Sequence, residues 1–185
     1  MGNQSIIINE EKFNLSDISA FYNFRTMGGT YYIYARTPGG KVVVCKSGET
    51  KEEADLKMRD IDSTFCMKDI KFAWVGGTML NMDNVKKVGI ERLTIDPSIQ
   101  ELQPDLIFKD FLLLPVATFN DGSTLTLGEE IVDNASRAKA ETIVDEYYRQ
   151  KDEHDAKKEA GQLESNAEPL SINLDTVLAE TAQEQ

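Results

Sequence analysis

This chain has little of what catalytic and metal centres are built from. Among 185 residues there are two cysteines, Cys45 and Cys66, and one histidine, His154. Two cysteines make no disulfide framework, and with one histidine they fall short of a zinc cluster. His154 sits in a charged stretch read as flexible, and a nucleophile–histidine mechanism needs its groups held in place. Positive charge is also short: 20 Lys and Arg stand against 32 Asp and Glu, for a net charge of −12. Affinity for DNA or RNA rests on many Lys and Arg contacts to phosphate, so direct nucleic-acid binding is not expected. No apolar run reaches the roughly 18 residues that a spanning helix needs. The N-terminus lacks the basic-then-apolar pattern of a secretory signal, and the expected compartment is a reducing cytoplasm. Gly28-Gly29-Thr30, Gly76-Gly77-Thr78 and Pro38-Gly39-Gly40-Lys41 lack the Lys-Ser/Thr and strand-to-helix context of a phosphate loop, so turn geometry explains them. Asp83, Asp96, Asp105 and Asp110 do not have EF-hand spacing. Two carboxylates can converge in space without a sequence signature, so acid–base chemistry stays open. No motif points to it, and the expectation is a non-enzymatic protein with no cofactor and no metal.

What the chain does have is repetition. Phe13-Asn14-Leu15-Ser16-Asp17-Ile18 returns as Leu80-Asn81-Met82-Asp83-Asn84-Val85, and again as Ile172-Asn173-Leu174-Asp175-Thr176-Val177. The first two copies are followed by apolar segments, turn signals and a helix pattern, which implies a duplicated scaffold. The predicted fold class is α+β. Two tandem, mainly antiparallel units, 1–68 and 69–150, are each closed by an amphipathic helix, and 151–185 forms an acidic flexible tail.

Local signals fill in the units. Ser5–Ile8 reads as a short strand. Phe13–Arg25 reads as a strand after an Asn-Leu-Ser-Asp turn or a short helix capped at Ser16, with its aromatics and the valines of its repeat partner favouring the strand. Tyr31–Arg36 and Lys41–Lys46 form a hairpin across Thr37-Pro38-Gly39-Gly40. Thr50 and Glu53 form a capping box. Ala54, Met58, Ile61 and Phe65 then share the buried face of a helix, while Lys51, Glu52, Asp55 and Arg59 face water. In the second unit, 72–75 and 78–80 are two short strands or one bent one. Phe111–Phe119 and Ser123–Leu127 form a hairpin whose Asp121-Gly122 favours a type I′ turn. Pro115 marks an edge strand or a bulge. Asn134 caps the second helix, with Ala140, Ile143, Val144, Tyr147 and Tyr148 facing the core. Residues 151–159 extend that helix into solvent through i,i+4 charge pairs.

The second unit is longer than the first by about 15 residues, inserted over 94–110. Loops on a rigid scaffold often carry function, and this one holds Asp96, Glu101, Asp105 and Asp110, the candidate contacts to a basic partner. In the first unit, alternation sends Tyr31, Ile33 and Ala35 to one face and Tyr32, Tyr34 and Arg36 to the other. The second set is a candidate interface, because aromatics and arginine are enriched at binding hot spots. The tail carries three lysines against nine acids, half of the net charge. Within it, Leu170–Leu178 is a candidate strand for an open sheet edge, in this chain or a second copy.

The Asn-Leu/Met-x-x-Val/Ile start, the glycine hairpin and the closing helix resemble small β-β-β-α modules encoded by phages and mobile elements. In size, acidity and lack of catalytic motifs the chain is similar to anti-CRISPR and other anti-defence proteins. That resemblance implies function by binding: inhibition of a basic host protein, with a defence nuclease as the partner class. Two alternatives remain at this point. One is a nucleotide or cyclic-nucleotide sponge at a subunit interface of a homo-oligomer, with phosphate held by Arg25, Arg36 and Lys41. The other is a virion or structural subunit.

Overall fold

The computed structural model describes residues 4–68, 70–94, 111–128, 136–160 and 170–181. Along the chain run β1 (Ser5–Ile8), β2 (Glu11–Asn14), a 3-10 turn (Leu15–Asp17), β3 (Ala20–Arg25), β4 (Tyr31–Thr37) and β5 (Gly40–Gly48). Then come α1 (Lys51–Met67), β6 (Ala73–Val75), β7 (Thr78–Leu80), β8 (Val85–Thr94), β9 (Phe111–Phe119) and β10 (Thr124–Thr126). The last elements are α2 (Ser136–Glu159), β11 (Ser171–Asn173) and α3 (Leu174–Thr181). The class is α+β with mainly antiparallel sheets.

Three sheets form, with strand orders β11-β1-β2, β5-β4-β3-β7-β6 and β10-β9-β8. The five-stranded sheet divides two cores. Successive side chains of a strand face opposite sides, so Phe21, Ile33, Ala35 and Met79 enter one core with Met58, Ile61 and Phe65 of α1. Phe21, Phe65 and Phe72 pack there with ring centroids 5.0–5.7 Å apart. Ala20, Ala73, Val75 and Leu80 face the other way, against Val85, Val88, Ala117 and Phe119 of the β8–β9 sheet and Tyr147 of α2. The β3-β4-β5 and β8-β9-β10 meanders are each followed by a helix. The β6–β7 hairpin lies between them in sequence and pairs with β3, through Ala20↔Leu80 to Tyr22↔Thr78.

The capping box forms as read: Thr50 Oγ1 accepts from Glu53 N, and the Glu53 carboxylate accepts from Thr50 N at 3.1 Å and Glu49 N at 2.8 Å. Those bonds hold the Glu53 carboxyl below its ordinary range. Ala54, Met58, Ile61 and Phe65 are buried. On α2, Ala140 and Tyr147 are buried, whereas Tyr148 is exposed and its hydroxyl donates to Val88 O at 3.0 Å. The cap assigned to Asn134 lies outside the described residues.

Three expectations need correction. Asp121 does not adopt a left-handed conformation; only Gly122 does, at φ 82°. The 119–123 connection is a three-residue loop closed by Gly122 N to Phe119 O and Phe119 N to Ser123 O. Glycine supplies the left-handed residue that such a loop requires. Pro115 is not on an edge strand, because β9 is the centre of its sheet. Its carbonyl accepts from Leu127 N, just past the end of β10. A residue's N–H and C=O leave a strand on the same side, so the missing N–H faces the point where the neighbouring strand has stopped. Finally, the stretch read as a flexible tail is partly folded. As the charge pairs predict, α2 runs on to Glu159, which places His154 on a helix. Within the Leu170–Leu178 segment expected at an open edge, Ser171–Asn173 pairs parallel with Ser5–Ile7 of this same chain. Burial of Ile172, Leu174 and Leu178 in the first core accounts for the difference.

The three echoes share a local geometry. Each puts its asparagine where a strand gives way to a helical turn. Asn173 Oδ1 accepts from Asp175 N and Thr176 N, capping α3. Asn81 Oδ1 accepts from Asp83 N, and Asn14 Nδ2 donates to Asp17 Oδ2. The first two copies also touch, since Asn81 Nδ2 donates to Ile18 O and Asn84 Nδ2 to Ser16 O. The third reaches the first hairpin. Asn9 and Glu10, at φ 51° and 64°, form the two-residue turn between β1 and β2, and both N–H groups donate to the Asp175 carboxylate at 2.8 and 2.9 Å.

Candidate functional site

The two groups of predicted site residues fall in different places. Tyr32, Tyr34 and Arg36 lie on the face of the five-stranded sheet opposite α1. They join Tyr22 and Phe24: Tyr22 stacks on Tyr34 at 5.8 Å, and Phe24 and Tyr32 lie 6.1 and 6.5 Å from Tyr34. Lys41 Nζ sits 4.8 Å from the Tyr34 ring centroid and 5.3 Å from that of Phe24. Phe24 remains exposed at 49%. Burial pushes the Tyr22 hydroxyl above its ordinary range, against the opposing pull of Arg36. Arg36 is held by the fold: its guanidinium lies 4.3 Å over the Phe119 ring and Nη1 donates to Ser19 Oγ at 3.3 Å. Arg25 lies 5.8 Å over Tyr31. The three cations read as phosphate ligands are therefore each stacked on an aromatic ring.

Asp96, Glu101, Asp105 and Asp110 lie outside the described residues. Their point of attachment does not. β8 and β9 pair in continuous register from Val88↔Ala117 to Thr94↔Phe111. β10 covers only Val116–Thr118. Beyond Gly89 and Pro115, and among the described residues, the two strands thus run on as a two-stranded arm, with Ile90 and Leu93 exposed. The 95–110 insert springs from the tip of this arm.

Cys45 and Cys66 are free, and burial raises both thiols above their ordinary range, which disfavours the reactive thiolate. Among the described residues no three His, Cys, Asp or Glu side chains are grouped as metal ligands. Nor is any described helix long and apolar enough to cross a membrane.

Sequence reasoning missed a cleft of about 780 Å³ around the Gly76–Gly77 turn. Its lining includes Lys51, Asp55, Arg59 and Asp62 of α1, Tyr22 and Asn23 of β3, and Trp74 of β6. Lys139, Thr142 and Ile143 of α2 complete it on the other side, with Thr126 and Gly128. β7 stops at Thr78 while β3 continues to Arg25, and this step opens the space. Gly76 and Gly77, at φ 55° and 75°, make the two-residue β6–β7 turn. A Cβ on Gly76 would meet Gly128 N at 2.7 Å, so two backbone segments touch at the cleft wall. Asn23 Nδ2 donates to Asp55 Oδ1 at 3.5 Å. Burial raises the Asp62 carboxyl above its ordinary range. The only sequence signal was the Lys51, Asp55, Arg59 stripe, read as a solvated face; what it faces comes from α2, more than 80 residues away.

No family model, curated protein or solved structure matches this chain.

Proposed function

We propose that this chain is a non-enzymatic binding protein that inhibits a partner with a basic surface, in the manner of the anti-defence proteins it resembles. A host defence nuclease is the partner class. The observation that carries this reading is the β8–β9 arm, which extends past β10 and bears an insert with four acids and one lysine. A paired ribbon fixes the base of the insert. The net charge of −12 favours encounter with a basic surface and disfavours phosphate. The aromatic face of Tyr32 and Tyr34 is a second surface suited to protein contact.

The test is affinity capture from host lysate with the whole chain and with a variant whose 95–110 is replaced by an Asn-Gly turn. Binding of the purified partner is then measured across salt. The reading requires loss of affinity in the variant and weakening with salt in the parent. Equal capture by both chains would refute the arm as the recognition element.

A further inference from the structure

The Gly76–Gly77 cleft is not used by that reading, and its chemistry points elsewhere. At about 780 Å³ it is within the range of small-molecule sites, roughly 300–1,000 Å³. Its wall brings three cations, Lys51, Arg59 and Lys139, together with two carboxylates, Asp55 and Asp62. In a chain with 12 more acids than bases, a cleft whose described lining holds more cations than acids is a local departure from that balance. Arg59 is exposed and makes no ion pair with any described residue, although Asp55 and Asp62 lie one turn to either side on α1. A guanidinium left in this state is available to an outside anion, which it binds through paired N–H donors. One aromatic ring, Trp74, also lines it and packs on the α1 side of the sheet, the side that carries Arg59; Tyr22 lines it from the opposite face, where it stacks on Tyr34. Trp74 is positioned by its backbone: its N–H donates to Gln150 Oε1 at 2.9 Å, and its carbonyl accepts from Gln150 Nε2 at 3.0 Å.

We infer that this cleft binds a small molecule that joins an anionic group to a flat aromatic body, the build of a nucleoside phosphate. Arg59 meets the anion, with Lys51 and Lys139 adding charge. Trp74 meets the flat body, which its ring favours through stacking. Asp55 and Asp62 are placed to accept hydrogen bonds from hydroxyl or amino groups. The combination selects against inorganic phosphate, which offers nothing to Trp74, and against a neutral aromatic, which offers nothing to Arg59.

Trp74 is the one tryptophan of the chain, so tryptophan emission reports this cleft alone. The experiment titrates the full chain with the four ribonucleoside 5′-monophosphates, their cyclic forms and inorganic phosphate. It follows Trp74 emission, with heat of binding as a second readout. At least one nucleotide should bind with a Kd of about 0.1 mM or tighter and change the emission. Inorganic phosphate should bind at least about tenfold more weakly. Arg59→Ala should weaken nucleotide binding about tenfold and Arg59→Glu further, with the melting temperature unchanged because the side chain is exposed. Four results would each overturn the assignment: no binding by any nucleotide up to about 5 mM, binding that leaves Trp74 emission unchanged, affinity unaltered in both Arg59 variants, or phosphate binding as tightly as the nucleotides. None of them depends on the arm, so this proposal and the inhibitor reading fail separately.

Discussion

Ending the chain at Ala160 should nearly unfold it, although what is removed lies 160 residues from the strand it covers. Deletion takes away β11 and α3, and with them Ile172, Leu174 and Leu178, which are 4%, 0% and 8% exposed. Full burial of an aliphatic side chain contributes about 2 kcal/mol, so the three together contribute roughly 6 kcal/mol. The loss also uncovers Ile6 and Ile8, both fully buried, and strips the Asp175 carboxylate from the Asn9–Glu10 turn. Net stability of a domain is about 5–15 kcal/mol, so the deletion removes a large share of it. With a urea dependence of about 2 kcal/mol per molar, the midpoint should fall by roughly 3 M. Urea unfolding followed by circular dichroism and Trp74 emission reads this directly. A truncated chain whose midpoint stays within about 0.5 M of the parent would refute the view that the third echo is part of the core. A chain ending at Gln150 is likewise not a simple tail deletion, since it also cuts α2 short.

Three further outcomes follow from particular bonds. Glu10→Gly should raise stability by about 0.5–1 kcal/mol, because glycine removes the left-handed penalty at φ 64° and forms the Asn-Gly pair that this turn favours; an unchanged or lower urea midpoint would count against it. Gly76→Ala should cost at least about 2 kcal/mol, since the new Cβ combines positive φ with a 2.7 Å approach to Gly128 N; a variant melting like the parent would contradict that packing. Glu53 has a depressed carboxyl in the fold, so its stabilisation is complete above the ordinary carboxylate range and is lost as pH falls through the lowered value. Acid unfolding of the parent should show this loss and Glu53→Gln should not, and identical acid profiles would sink it.

Much of the local structure was legible because the signals were local. The Thr50–Glu53 box, the Ala54, Met58, Ile61, Phe65 stripe and the Thr37–Gly40 turn each depend on residues within a few turns of one another. Pro115 was misread because whether a strand is an edge depends on where β10 stops, which no neighbour of Pro115 encodes. In the tail the third echo was legible as a strand for an open edge, but which edge it takes, and that Ile172, Leu174 and Leu178 enter the core, depend on β1 having a free side to offer. The cleft was not legible at all. Its cations belong to α1 and α2, and only the short β6–β7 hairpin, returning to pair with β3, brings those helices to one opening. The acidic insert was visible as extra length, and the register of β8 with β9 supplied what sequence could not: a paired ribbon that runs past β10 to its base.

The measurement that bears most directly on the proposed function is the affinity of a captured, purified partner for two chains, the parent and the variant with 95–110 replaced by Asn-Gly, at low and high salt. The account predicts that the parent binds, that its affinity falls steeply as salt rises, and that the variant loses binding while keeping the parent's urea midpoint. Equal affinity in the two chains, or affinity indifferent to salt, would contradict it.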